Sequence, residues 1–296
     1  MCGSDDQNKD SQESQEENVL DQNHLSEDGD SQQLLDVEPK ILTLAEEDIY
    51  KGDLILVNSL YEYGFEENAS TIQLTSLDEY KNGVIRTGKQ GLQLAERILE
   101  PLNSMISDCN EALGVDNTGV TSAYRSREYQ VDVYNQYVEA GGVEYADAYV
   151  SDPGYSEHHT GLSLDMGIYY ADGGEGQFSG SENAQWIDEH CQEYGFVRRY
   201  KEDKIDITGI QNESWHFRYV GIPHAVYMNE NNFCLEEYIE FLRNSTSKDA
   251  PISISCNAGT YEVYAEQEKY IEEPACDYSI SGDNIDGFIV TVLVSK

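Results

Sequence analysis

Two short stretches of this chain alternate between apolar and polar side chains, and that alternation restricts its fold more than any other feature. Between Thr160 and Gly167, Leu162 and Leu164 fall on one face while Ser163 and Asp165 fall on the other. Trp215, Phe217 and Tyr219 alternate in the same way with His216 and Arg218. A period of two marks an extended strand whose successive side chains point to opposite faces of a sheet. Each stretch therefore needs an apolar core on one side, which leaves Asp165 and His216 on the polar side.

The remaining pattern places helices around those strands. Apolar residues recur at helical spacing from Leu92 to Ile106. Ser126 to Ala140 reads as a helix with Tyr129, Val133 and Tyr137 on one stripe, stopped by Gly141-Gly142. Asn183 to Tyr194, ended by Gly195, and Leu235 to Leu242 are two more. Asp53 to Asn58 and Val120 to Arg125 read as strands. Beyond a polar linker, Asn244 to Asp249, strand-like runs such as Ile252 to Ile254 and Phe288 to Val292 are broken by Gly and Asn. There is no internal repeat and no heptad pattern. The expected fold class is α+β: an antiparallel β-sheet carrying the site, helices packed on one side, and a small C-terminal β appendage. The expected division is a tether over residues 1–43, a main domain over 44–244 and a small β domain over 250–296.

Charge narrows the possible partners. With 57 acidic against 18 basic residues the formal net charge is -39. Such a chain repels a phosphate backbone, so no nucleic acid is expected. No apolar run approaches the ~20 residues of a membrane-spanning helix, and the chain is expected to be soluble and monomeric. From Met1 to about Lys40 it is rich in Asp, Glu, Gln, Ser and Asn and offers few places for a buried face, hence the tether. The opening Met1-Cys2-Gly3-Ser4, followed by that acidic tract, resembles a lipoprotein whose signal peptide has been replaced by a methionine. The expected location is accordingly extracytoplasmic at the bacterial cell surface, with membrane contact only through a lipid on Cys2. No metal-type CxxC spacing occurs among the six cysteines. Cys109, Cys191 and Cys234 read as small core residues, whereas Cys256 and Cys276 could bridge the last segment.

His24 falls in the tether, so the candidates for metal or proton chemistry are His158, His159, His190, His216 and His224. Gly154 to Asp165 sets an imidazole and a carboxylate at the two ends of one turn-and-strand unit, and Glu213-Ser214-Trp215-His216 supplies a second imidazole with a carboxylate three residues before it. Two imidazoles and an aspartate satisfy a zinc ion that keeps one position open, as catalytic sites do. A carboxylate outside the ligand set must then move the proton, and Glu213 is placed for that.

The string Ser156-x-His158-x-x-Gly161-x-x-x-Asp165, followed by Glu213-x-x-His216, with Ser122-Ala123-Tyr124-Arg125-Ser126 upstream and Gln130 beyond, resembles the VanY-type D-alanyl-D-alanine carboxypeptidases. The likeness spans roughly Asp48 to Leu242. It implies a hedgehog-like DD-peptidase fold, a Zn2+ cofactor held by His158, Asp165 and His216, and Glu213 as general base and then acid. It implies that Arg125 stabilises the oxyanion, a role for which a planar, permanently charged guanidinium is suited. Ser122, Tyr124, Gln130 and Ser156 are implied to bind substrate, a peptidoglycan stem peptide losing its terminal D-alanine. His159 stands where that family often has glutamine, and Ser163 where it often has alanine. Two rival readings are an L,D-carboxypeptidase acting on tetrapeptide stems and a wall-binding domain without turnover.

Other residues have plainer readings. His159, pointing away from its neighbour in an extended segment, is expected at the rim. His190 is expected to face solvent, His224 to be a hydrogen-bonded structural histidine, and Arg127 to have no role in the site. Trp215 and the tyrosines are expected to be core.

Overall fold

The two alternating stretches are adjacent strands of one sheet. In the computed structural model, which describes residues 39–80 and 83–296, the central sheet contains β1 (Arg86–Thr87), β2 (Thr118–Ser122), β3 (Ser163–Tyr169), β4 (Glu175–Gly176), β5 (Phe196–Tyr200) and β6 (Glu213–Tyr219). Its order is β1-β2-β3-β6-β5, with β4 paired to the far end of β3. The pairs are antiparallel except β1 with β2. All seven residues of β3 are buried, as befits the middle strand.

The apolar face of that sheet packs against α1 (Leu99–Leu113) and α4 (Glu182–His190), counting α2 (Arg127–Gly141) and α3 (Val143–Tyr149) between them. Leu162, Leu164 and Phe217 share a core with Leu102, Met105 and Ile106 of α1 and Ile187 of α4. Burying each such side chain stabilises the fold by roughly 1.5–3 kcal/mol. Helices are not confined to this side, because Val133 and Tyr137 of α2 and Tyr149 of α3 line a cleft over the polar face. Ser126 caps α2 by accepting a hydrogen bond from the Tyr129 amide, and Gly142 closes it at positive φ.

Several boundaries differ from expectation for identifiable reasons. The helix read from Leu92 begins at Leu99, because Gln93–Ala95 pairs as a strand with Leu74–Ser76. Pro101 then falls in the first turn, where its missing N–H costs nothing. Asp53 to Asn58 joins no ladder, and Asn58 makes only an isolated bridge with Tyr61. Instead the Leu54 amide donates to Ser281 Oγ and the Leu56 amide to the Asp283 carbonyl. The tether expected over residues 1–43 lies outside the described residues except at its end, where Ile41–Thr43 pairs with Tyr270–Glu272 as a strand.

The segment expected to be a separate appendage forms a four-stranded antiparallel sheet of β7 (Ile252–Cys256), β8 (Gly259–Glu266), β9 (Tyr278–Gly282) and β10 (Phe288–Ser295), in the order β7-β8-β10-β9. It is not independent. Ile254, Val263 and Ile289 share one core with Leu54, with Ala225 and Met228 of α5 (Ile222–Glu230), and with Leu235, Ile239 and Leu242 of α6 (Leu235–Ser245). Pro39 to Lys296 is accordingly one compact unit, and the boundary drawn at residues 244–250 separates nothing. Cys109, Cys191 and Cys234 are buried and free as expected. Cys256 and Cys276 are free too, so the bridge between them is absent. Among the described residues no helix is long and apolar enough to cross a membrane.

Candidate functional site

Sheet register assembles the site. In the β3–β6 ladder Asp165 lies directly opposite His216, and in the β2–β3 ladder it lies opposite Ser122. His158 arrives from the turn Glu157–Thr160, which enters β3 through Gly161. That glycine has φ +66°, and a Cβ there would meet Leu74 Cδ2 at 2.8 Å. The left-handed backbone is what favours glycine here, since the Leu74 methyl could move aside. The result brings one potential ligand atom each from His158, Asp165 and His216 within 4.8 Å of one another, all three residues buried. They are the one such group among the described residues.

The hydrogen bonds specify which nitrogen faces inward. His158 Nδ1 is 2.7 Å from the Ala123 carbonyl, an acceptor only, so Nδ1 carries the proton. Its Nε2 lone pair therefore turns to Asp165 Oδ1, 3.5 Å away. His216 presents Nδ1 to Asp165 Oδ1 at 3.1 Å and Nε2 to Glu157 Oε2 at 3.3 Å.

Charge follows from this geometry. Burial, helped by the Arg125 cation, pushes His158 down to about 4, so it is neutral and its lone pair is available. Burial also works against a charged His216, but the hydrogen bonds it donates to Asp165 and Glu157 overcome it and push the imidazole up to about 9. Asp165 stays well below the usual carboxylate range: desolvation opposes ionisation, and His158, His216 and Arg125 outweigh it. A buried carboxylate with two imidazoles, one already attracting a positive charge, is a donor set that fits a divalent zinc ion.

Glu213 begins β6, with Oε2 3.8 Å from His216 Nδ1. Burial drives its carboxyl up to about 7, against the His216 and Arg125 cations and with the help of Asp165. That is the range in which a general base works near neutrality. Arg125 donates from Nη2 to Asp165 Oδ2 at 3.0 Å and is braced by Ser122 Oγ at 2.9 Å and Gln130 Oε1 at 3.3 Å. Gln130, fully buried, is itself fixed by donating to the Ser151 carbonyl.

Arg125, Ser156, His158, Asp165, Glu213 and His216 all line the cleft, with Tyr137, Tyr149, Tyr200 and Trp215 as its aromatic walls. Ser122, Tyr124 and Gln130, expected to bind substrate, do not line it. Ser122 and Gln130 hold Arg125 instead, and Tyr124 is half-buried beside them in the chain. Trp215, expected in the core, both packs against the core and reaches the cleft.

The structure departs from expectation at His159 and adds Glu157 to the site. His159 is fully buried rather than at a rim: Nδ1 bonds the Arg125 carbonyl, Nε2 accepts from the Gly154 amide, and the ring packs on Phe65. No local pattern singles out Glu157, yet its side chain is wholly buried between His216 and the guanidinium groups of Arg199 and Arg218. The one available signal was a pair of arginines in apolar strands of a chain with only 18 basic residues. His224 is the hydrogen-bonded structural histidine expected, between the Tyr238 hydroxyl and Thr291. His190 is part-exposed beside Glu193, and Arg127 pairs with Glu62.

A larger cavity, ≈ 530 Å³, lies elsewhere, lined by Lys51 to Ile55, Tyr219 to His224 and strands of the C-terminal sheet. Size and chemistry disagree here. The smaller cleft is the better candidate because it alone gathers the metal-capable trio and a displaced carboxyl pKa.

Comparison with known proteins points the same way. Residues 91–222 match the VanY family, described as D-alanyl-D-alanine carboxypeptidase. A D-alanyl-D-alanine carboxypeptidase of Enterococcus faecium is 37% identical over 290 residues, covering 95% of this chain and 88% of the relative. Among solved structures, the vancomycin resistance D,D-dipeptidase VanXYg, in complex with a D-Ala-D-Ala phosphinate analog, superposes with a TM-score of 0.75 at 31% identity, covering 87% of this chain and 99% of that one. A mutant of the D,D-pentapeptidase VanY from a VanB-type resistance cassette, in complex with Zn(II), gives a TM-score of 0.52 at 32% identity over 63% of this chain and 98% of that one.

Proposed function

The chain belongs to the VanY family of D-alanyl-D-alanine carboxypeptidases, and from this we propose that it hydrolyses the terminal D-alanine from peptidoglycan stem peptides ending in D-Ala-D-Ala. The observation that carries the reading is the meeting of His158, Asp165 and His216 within 4.8 Å, with the raised carboxyl of Glu213 beside them. Zinc held by these three side chains supplies Lewis-acid polarisation of the scissile carbonyl and of the attacking water.

The residues supply the rest. Arg125 donates to the carbonyl oxygen as negative charge develops there, and its bonds to Ser122, Gln130 and Asp165 keep the guanidinium in place beforehand. Glu213 accepts a proton from the attacking water and delivers it to the leaving amino group as the C–N bond breaks. The aromatic walls and buried floor limit competing water. Ser156 lines the same cleft, which supports a part for it in holding the peptide.

Pure protein incubated with pentapeptide and tetrapeptide stems, with and without a chelator, tests the reading. D-Alanine is expected from the pentapeptide, and the chelator is expected to abolish its release. Release from the tetrapeptide alone would assign L,D-carboxypeptidase activity. Binding of zinc and muropeptides without any release would assign a wall-binding module.

The cellular setting is part of the same proposal. Cys2 and the acidic residues after it suit a lipid-anchored enzyme on the outer face of the cell membrane, acting on the wall as a monomer. Membrane fractionation of cells making the chain behind a lipoprotein signal peptide, with Cys2 intact or as Cys2→Ala, tests this. Equal release of both from the membrane would refute the anchor.

A further inference from the structure

We propose that Glu157 is a positioning residue of the metal centre: clamped by Arg199 and Arg218, it orients the His216 imidazole so that Nδ1 faces the ion. The inference rests on the ligand set proposed above and deepens it by naming what holds one ligand in place.

Every oxygen of the Glu157 carboxylate is committed, and none reaches solvent. Oε1 accepts from Arg199 Nε at 2.9 Å and from Arg218 Nη1 at 3.0 Å. Oε2 faces His216 Nε2 at 3.3 Å and accepts from Ser163 Oγ at 3.4 Å. The side chains of Glu157, Arg199 and Arg218 are 0%, 1% and 0% exposed.

The clamp is anchored in four elements. Arg199 comes from β5 and donates onward to Glu236 of α6 at 2.5 Å. Arg218 comes from β6 and donates onward to the carbonyls of Asp53 and Ile55. Glu157 is thus fixed from the side away from the cleft, and its remaining acceptor faces the one ring nitrogen of His216 that cannot also face Asp165.

A purely structural ion cluster would not need that last contact. Arg199 and Arg218 are already balanced by the carboxylates of Glu157 and Glu236, and desolvating a further potential charge at His216 adds cost unless it serves something. The other imidazole shows what the contact does. His158 is oriented by a neutral backbone carbonyl, that of Ala123, through the nitrogen opposite its inward-facing one. His216 has the same arrangement with a charged acceptor. A carboxylate behind a ligating imidazole fixes its tautomer and strengthens its donor nitrogen, and loss of such partners weakens metal binding by about 10–100-fold.

The test compares wild type, Glu157→Gln and Glu157→Asp. Zinc affinity is read by competition with a chromogenic chelator, and thermal melting of the metal-free proteins reports folding separately. Glu157→Gln is expected to weaken zinc binding by about 10–100-fold, and Glu157→Asp, which keeps the charge on a shorter arm, by less. A loss under fivefold in folded Glu157→Gln would overturn the proposal. Should neither variant fold, the wild type decides: ring-nitrogen NMR of the metal-loaded protein is expected to show His216 coordinated through Nδ1 with a slowly exchanging Nε2–H. Coordination through Nε2 would overturn it. If wild type binds no zinc, the ligand set fails rather than the role of Glu157.

Discussion

Two buried histidines, one in the cleft and one beneath the C-terminal sheet, have opposite affinities for a proton. His216 is 3% exposed and lies between the carboxylates of Asp165 and Glu157, which push it up to about 9. His224 is 6% exposed and lies between the Tyr238 hydroxyl and Thr291, and burial pushes it down to about 3. Desolvation acts on both. Only neighbouring negative charge separates them, and that charge is what a metal ion would also seek. The contrast marks a region built to attract a cation against one built to exclude charge.

Replacing each histidine should break the comparison most sharply. His216→Ala is expected to lose zinc and with it all measurable hydrolysis, whereas His224→Gln keeps one zinc per chain by metal analysis. Equal metal loss in both variants would show that the two environments do not differ in the way described.

Glu213→Gln isolates proton transfer from metal binding within the cleft. It should keep fold and zinc while kcat falls by about 10²–10⁴-fold, the usual contribution of a positioned acid–base group. Steady-state kinetics at saturating zinc measure this, and full retained activity would remove Glu213 from the mechanism.

The smallest effect concerns pH. The folded pKa of His224, about 3, lies below the ordinary 6.5. Between those values the unfolded chain binds a proton that the folded one does not, so stability is complete above pH 6.5 and declines as pH falls toward 3. The slope from this residue is at most about 1.4 kcal/mol per pH unit. Denaturant melts of metal-free protein should show His224→Gln with a flatter acid limb than wild type. Identical slopes would mean the imidazole is protonated without strain in the folded state.

The cleft was far more legible in the sequence than its support. Alternation at Leu162 to Asp165 and Trp215 to Tyr219 revealed two strands with the correct faces, and the resemblance of the strings Ser156 to Asp165 and Glu213 to His216 to the VanY-type enzymes implied residues that the structure brings together. Local periodicity suffices there because each pattern lies within one element. His159 was misplaced because alternation predicts direction, not depth, and the segment is a tight turn with both rings buried. The terminal strands looked detachable because a polar linker precedes them, while their partners, Leu54 and the helices α5 and α6, are remote in sequence or belong to the other side of that linker.

By itself the sequence determined the types of side chain available and the face of each strand on which they lie, because backbone geometry ties direction to a period of two. Tertiary structure alone decided that Asp165 stands opposite His216 and Ser122, and that Arg199 and Arg218, 42 and 61 residues from Glu157, close on one carboxylate. Register and burial are sums over distant contacts. They set the dielectric and the neighbouring charges, and through those the proton affinity of each group.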